Sequence, residues 1–156
     1  MTTIFRTALN CPVCDKLFET EVVGSCGFAD KDSDFCPRYW DANPLPSFVH
    51  CCPSCGFAGH EDDFEREVTS EMRERVRAKI TPRLGKQPIP LDKWRFAVWC
   101  GEWAKRPSLD LGRMCMTASW CCRFLGEWRE EQKYQKRAIR FLTAALKADE
   151  VRDEER

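Results

Sequence analysis

Nothing limits what this chain can fold into as much as a repeated cysteine tetrapeptide. Cys11-Pro12-Val13-Cys14 and Cys52-Pro53-Ser54-Cys55 share the form C-P-x-C. Two thiolates three positions apart grip one ion from a tight turn, and zinc in a structural role takes four such ligands in a tetrahedron. Proline after the first cysteine presets φ for the turn, and Gly56, after the second copy, takes a left-handed conformation at little steric cost. Asp15 stands at the matching place in the first copy, and aspartate tolerates the same region. One C-x-x-C is a weak signal; two copies of one form are a strong one. The pattern predicts a single structural Zn2+ held by Cys11, Cys14, Cys52 and Cys55. The competing reading is a redox dithiol, but neither copy lies in a βαβ pattern.

The remaining cysteines agree with a metal site better than with disulfides. The chain has 11, an odd number, and Met1 to Arg6 lack the charged and apolar regions of a signal peptide. A cytoplasmic setting with reduced thiols is the expectation. No apolar run is long enough to span a membrane. Basic and acidic residues number 25 each, which argues against a nucleic-acid binder held by broad electrostatics.

Along the chain, residues 1–60 read as a small zinc-ribbon-like β module. Ile4 to Leu9 and Leu17 to Val23 flank the first knuckle as strands. Residues 28–50 read mostly as loop, since Pro37, Pro44 and Pro46 exclude a helix, with Phe48 to Cys51 a short strand into the second knuckle. Between Cys14 and Cys52 lie 37 residues, more than a zinc ribbon usually holds, so an extra hairpin or long loop is expected beside the metal. Asp30-Lys31-Asp32-Ser33-Asp34 invites a calcium-loop reading. Phe35 stands where such a loop needs glycine and Asp41 where it needs a bidentate glutamate, so a solvated acidic turn is preferred. Cys36, Cys51, His50 and His60 are near enough in sequence to be substitute ligands; four thiolates already close the site without them.

Residues 61–80 read as one connecting helix. Glu61-Asp62-Asp63 suit its positive end, and Phe64, Val68, Met72, Val76 and Ile80 make one thin apolar stripe. Arg73, Arg75, Arg77 and Lys79 raise an anion-binding strip, but the interleaved Glu67, Glu71 and Glu74 favour intrahelical ion pairs. Pro82, Gly85, Pro88 and Pro90 mark residues 81–90 as an irregular boundary, beyond which the helical part is expected to be a separate cooperative unit. Residues 91–148 read as three helices, about 91–105, 109–125 and 128–148, ahead of a fraying tail at 149–156. The last two, joined near Gly126, form a pair like a tetratricopeptide (TPR) unit. Two registers compete, one with Gly126 as the turn and one with Leu125-Gly126 inside the first helix of the pair. The fold class is α+β: a small zinc-ribbon-like module followed by a mainly helical, TPR-like bundle.

Cys11-Pro12-x-Cys14, Asp32-Ser33-Asp34-Phe35-Cys36-Pro37-Arg38-Tyr39, Asn43-Pro44-Leu45 and Cys52-Pro53-x-Cys55-Gly56-Phe57-Ala58 together resemble a bacterial family called domain of unknown function 2225. Ala118-Ser119-Trp120-Cys121-Cys122-Arg123 resembles the helix that follows in that family. The resemblance spans roughly residues 10–148 and implies a four-cysteine zinc site fused to a helical tail. It implies no settled activity.

Three functions compete. The first is a non-enzymatic, zinc-stabilised scaffold or adaptor that binds another protein through its helices. Five of the six Trp fall in residues 94–128, and any left exposed would serve as anchors, although filling the core is their more ordinary use. The second is a nucleic-acid-binding ribbon, disfavoured because Asp15, Glu19, Glu21, Asp30, Asp32 and Asp34 outnumber Arg6, Lys16, Lys31 and Arg38 near the knuckles. The third is a thiol redox sensor, for which Cys51-Cys52 and Cys121-Cys122 are the vicinal pairs. No H-E-x-x-H, P-loop or G-x-S-x-G pattern suggests an enzyme.

Overall fold

The computed structural model describes residues 1–148; the tail expected at 149–156 lies outside the described residues. The first half is built from three short antiparallel hairpins. β1 (Thr3–Asn10) pairs with β2 (Leu17–Ser25), with Leu9 opposite Phe18 and Asn10 opposite Leu17. β3 (Phe28–Lys31) pairs with β4 (Pro37–Tyr39), and β5 (His50–Cys51) with β6 (Ala58–Gly59). The β1–β2 and β5–β6 hairpins each close through one knuckle, which is why the strands beside the cysteines end where they do. The 28–50 stretch is less loop-like than its prolines suggest. It forms the β3–β4 hairpin, with a single 3-10 turn at Leu45–Ser47 after it.

Residues 61–80 are not one helix. A 3-10 turn covers Glu61–Glu65, and the chain is then extended at Arg66 (φ −88°, ψ 146°). α1 (Ser70–Arg75) starts afresh and runs into a π-helical turn at Val76–Ile80, followed by a 3-10 turn at Thr81–Arg83. Local side-chain bonds account for the break. The Asp63 carboxylate accepts from the His60 backbone N–H at 2.9 Å, and the Thr69 hydroxyl accepts from Met72 N–H at 3.1 Å. Each satisfies one backbone donor at the start of a helical piece, which lowers the cost of starting afresh. The apolar stripe still faces inward. Phe64 meets Phe18 and Phe57 edge-on, with ring centroids 5.5 and 5.1 Å apart, and Val76 and Ile80 are fully buried.

The helical half follows the sequence closely. α2 (Pro90–Trp103) opens on a proline at its first position, where the missing N–H costs nothing. α3 (Ser108–Phe124) and α4 (Trp128–Lys147) are antiparallel: Arg123 reaches Glu131 at one end while Gly112 lies against Leu142 further along. Gly126 sits in the connection at φ +74°, so the register that uses it as the turn is the one realised. Among the described residues, no helix is long and apolar enough to cross a membrane.

The apolar core does not part at the 81–90 connector. It runs without a break from Cys11 and Phe18 through Val76, Ile80 and Trp94 to Tyr134 and Ala138. Polar bonds cross the same seam. The Trp94 indole donates to Leu45 O at 3.2 Å, Lys93 Nζ to Pro46 O at 3.4 Å, and Arg106 pairs with Asp63. The β3–β4 hairpin is fastened by Arg123, whose guanidinium takes Asp34 at 2.6 Å, Asp32 at 3.2 Å and Glu131 at 2.7 Å. The acidic turn is therefore salt-bridged to α3, not simply solvated.

Candidate metal centre

Both knuckles fold by the same local bonds. In the first, Cys11 N–H donates to Lys16 O at 2.9 Å and Asp15 N–H to Cys11 O at 2.8 Å. In the second, Cys52 N–H donates to Phe57 O at 2.9 Å and Gly56 N–H to Cys52 O at 2.8 Å. The residue after each second cysteine is left-handed, Asp15 at φ 60° and Gly56 at φ 87°. Only the second is bound to be glycine for packing as well, since a Cβ there would run into the Ile80 side chain.

These turns bring four sulfurs to one point. Cys11 Sγ lies 3.5 Å from Cys55 Sγ, and Cys14 Sγ 3.6 Å from Cys52 Sγ. All four lie within 4.8 Å of one another. A tetrahedron with metal–sulfur bonds of ~2.3 Å has edges of about 3.8 Å, so the spacing fits one ion bound by four thiolates. Cys11, Cys52 and Cys55 are buried and Cys14 is partly exposed. The helix after the module braces the site from behind. Arg73 donates to Val13 O at 3.2 Å, and the Thr81 hydroxyl to Cys55 O at 2.7 Å. Each bond holds one knuckle by a backbone carbonyl. This bracing was not visible in the sequence, where Arg73 read as part of a charged strip; Arg75 does pair with Glu71, at 2.6 Å.

The clustered thiols perturb one another's ionisation. Hydrogen bonds from Cys11 and Cys55 hold the Cys52 thiol well below its usual range. The bond to Cys52 pushes Cys11 up to about 12, and bonds to Cys11 and Cys52 likewise raise Cys55. Thiols so close cannot all ionise by themselves. A divalent ion bound there would remove that conflict by deprotonating its ligands outright.

The neighbouring candidates are not part of the cluster. The Cys51 thiol points to Gly56 O at 3.6 Å, and burial raises it. Cys36 is buried against Pro37 O, and burial pushes it up to about 11. His50 is buried with Nδ1 2.9 Å from the Thr20 hydroxyl, and His60 Nδ1 lies 3.0 Å from Phe48 O. Both imidazoles have ordinary structural partners.

Fold and site together define a small module with a four-cysteine cluster able to hold a metal ion, joined to a helical bundle. Residues 4–155 match the family described as "Uncharacterized protein conserved in bacteria (DUF2225)", and the chain belongs to that family. No curated protein and no solved structure matches it significantly.

Proposed function

We propose that the chain is a non-enzymatic scaffold, stabilised by one structural Zn2+, that works as an adaptor by binding another protein through its helical part. The observation that carries this reading is the closure of the site: four thiols surround one position and leave no place for a substrate or water. Catalytic zinc keeps such a place open, and structural zinc does not. The core that begins at Cys11 continues into the helices, so the metal's natural task here is to hold the platform on which the helices are displayed. A redox role draws no support from the other buried thiols. Burial pushes Cys115 and Cys121 up to about 11, and Cys100 and Cys122 up to about 12, which suppresses the reactive thiolate at neutral pH.

Cobalt substitution tests the closed site. Co2+ exchanged for zinc in the full chain should give the intense d–d and charge-transfer bands of a four-thiolate tetrahedron, unchanged by added azide or imidazole. Bands that shift with either ligand would reveal an open coordination position and defeat the structural reading.

A further inference from the structure

α4 buries a single narrow strip, on which Tyr134, Ala138 and Ala145 lie. About 110° round the helix stand Trp128, Ile139 and Leu146, which are 59%, 65% and 66% exposed. They are eleven and seven residues apart, close to three and two whole turns, so they form one file ~27 Å long. Roughly a quarter-turn further round lies a ridge of exposed cations: Arg129, Lys136, Arg140 and Lys147. None of the four has a carboxylate partner among the described residues. Arg129 rests over the Trp128 ring at 5.3 Å, so its stem lines the apolar file, while Arg140 leans over Phe141 at 5.2 Å on the other side of the ridge. The opposite edge of the file is closed by α3, which packs against Leu142 and Glu131. The surface thus has an apolar floor, a wall on one side and unneutralised positive charge on the other.

We propose that this face of α4 docks an amphipathic helix of a partner protein, whose apolar side covers Trp128, Ile139 and Leu146 and whose acidic flank meets Arg129, Lys136, Arg140 and Lys147. The proposal rests on the adaptor reading and gives it a surface and a partner chemistry. Helices that dock by an apolar stripe use anchors at such spacings, and flanking charge sets which partner fits and in which direction. A second copy of this chain is a poor occupant. Two-fold antiparallel pairing of α4 with itself brings the two cation ridges to the same side of the contact, like charge against like. A lipid surface is a poor occupant too. Membrane-bound helices bury a broad apolar face, whereas this file is one residue wide, is interrupted by Gln132 and Gln135, and carries its cations on one edge only.

The test is a selection on the zinc-loaded full chain. A displayed library of helical peptides would hold leucine fixed along one face and vary the flanks among Glu, Lys, Gln and Ala. The expected result is enrichment of Glu over Lys on one flank by about tenfold or more, a difference of ~1.4 kcal/mol in binding. The selected peptides should bind the Ile139→Ser/Leu146→Ser variant at least about tenfold more weakly, with its circular dichroism unchanged. A Lys136→Glu/Arg140→Glu variant should reverse the preference and take Lys-flanked peptides, which a merely structural role for these cations would not produce. Enrichment that ignores all these substitutions would overturn the α4 surface while leaving the adaptor reading in place. Absence of any enrichment would overturn helix docking. Binding to phosphatidylglycerol vesicles that the double serine variant abolishes, or a dimer in sedimentation that it splits, would overturn the proposal in favour of lipid or of self-association.

Discussion

Replacing Cys52 by serine offers the sharpest test of how metal site and helices depend on one another. Cys52 is fully buried, and its sulfur is 3.6 Å from that of Cys14. Serine keeps the approximate volume but removes one of four thiolates. A structural zinc contributes on the order of 10–16 kcal/mol to folding, against a total stability of about 5–15 kcal/mol for an ordinary domain. Residues 1–60 should therefore lose their fold. The structure carries the consequence into the helices. Trp94 of α2 is 1% exposed and donates its indole N–H to Leu45 O inside the β module. If the module unfolds, the part of Trp94 that the module covers returns to water, at most about 200 Å², or no more than ~5 kcal/mol at ~25 cal/mol per Å². A helical fragment of roughly 60 residues has only about 3–9 kcal/mol to lose. The helices should not survive alone, contrary to the separate unit suggested by the proline-rich connector. The assay is urea unfolding followed by far-UV circular dichroism and Trp fluorescence together. Wild type should give one coincident transition, and both signals should collapse in Cys52→Ser or when a chelator strips the proposed metal. Helical dichroism that persists in the metal-free protein would refute the argument and establish residues 90–147 as an independent unit.

Other outcomes follow from particular contacts. Gly112→Ala should destabilise by about 1–3 kcal/mol in thermal unfolding, because a new Cβ would sit 2.7 Å from Leu142 Cγ and 3.3 Å from its backbone nitrogen; unchanged or higher stability would show that α3 and α4 separate easily. Arg123→Met leaves Asp32, Asp34 and Glu131 without their shared cation, and should cost about 1–2 kcal/mol at neutral pH after solvent screening. The Arg123 hydrogen bond holds the Asp34 carboxyl below its ordinary 3.8, so Asp34 contributes stability above that pH and loses it as pH falls through the depressed value. The gap between Arg123→Met and wild type should narrow in acid, and a gap independent of pH would count against the network. Thr20→Val removes the hydroxyl 2.9 Å from buried His50 Nδ1 and should cost about 1–3 kcal/mol, read from the urea midpoint; no loss would mean that His50 finds another partner. Iodide should quench Trp40 and Trp128, which are 63% and 59% exposed, and spare Trp94; complete protection of all six would remove the aromatic anchor from α4.

Much of this protein was legible residue by residue. The two C-P-x-C turns follow from proline φ and from left-handed tolerance at Asp15 and Gly56, both local properties of the chain. The three helices of residues 90–147 follow from apolar spacing and from Pro90, Pro107 and Gly126 as punctuation. The length of the gap between the knuckles called for an extra hairpin or a long loop, and its prolines favoured loop, so the β3–β4 hairpin was only half foreseen. What the tertiary structure decided are relations that no short window contains. Asp63 and Thr69 break the helix expected at 61–80, because side-chain caps compete there with a continuous ladder and Phe64 has an aromatic cluster to join. Arg73 and Thr81 reach back to the carbonyls of Val13 and Cys55, 60 and 26 residues earlier. Arg123 claims Asp34 across 89 residues, turning an apparent acidic loop into a fastened one. Periodicity and turn chemistry act over a few residues and can be read from the sequence. Which buried side chain meets which, and so whether two modules share one core, is settled only when distant segments compete for the same interior space.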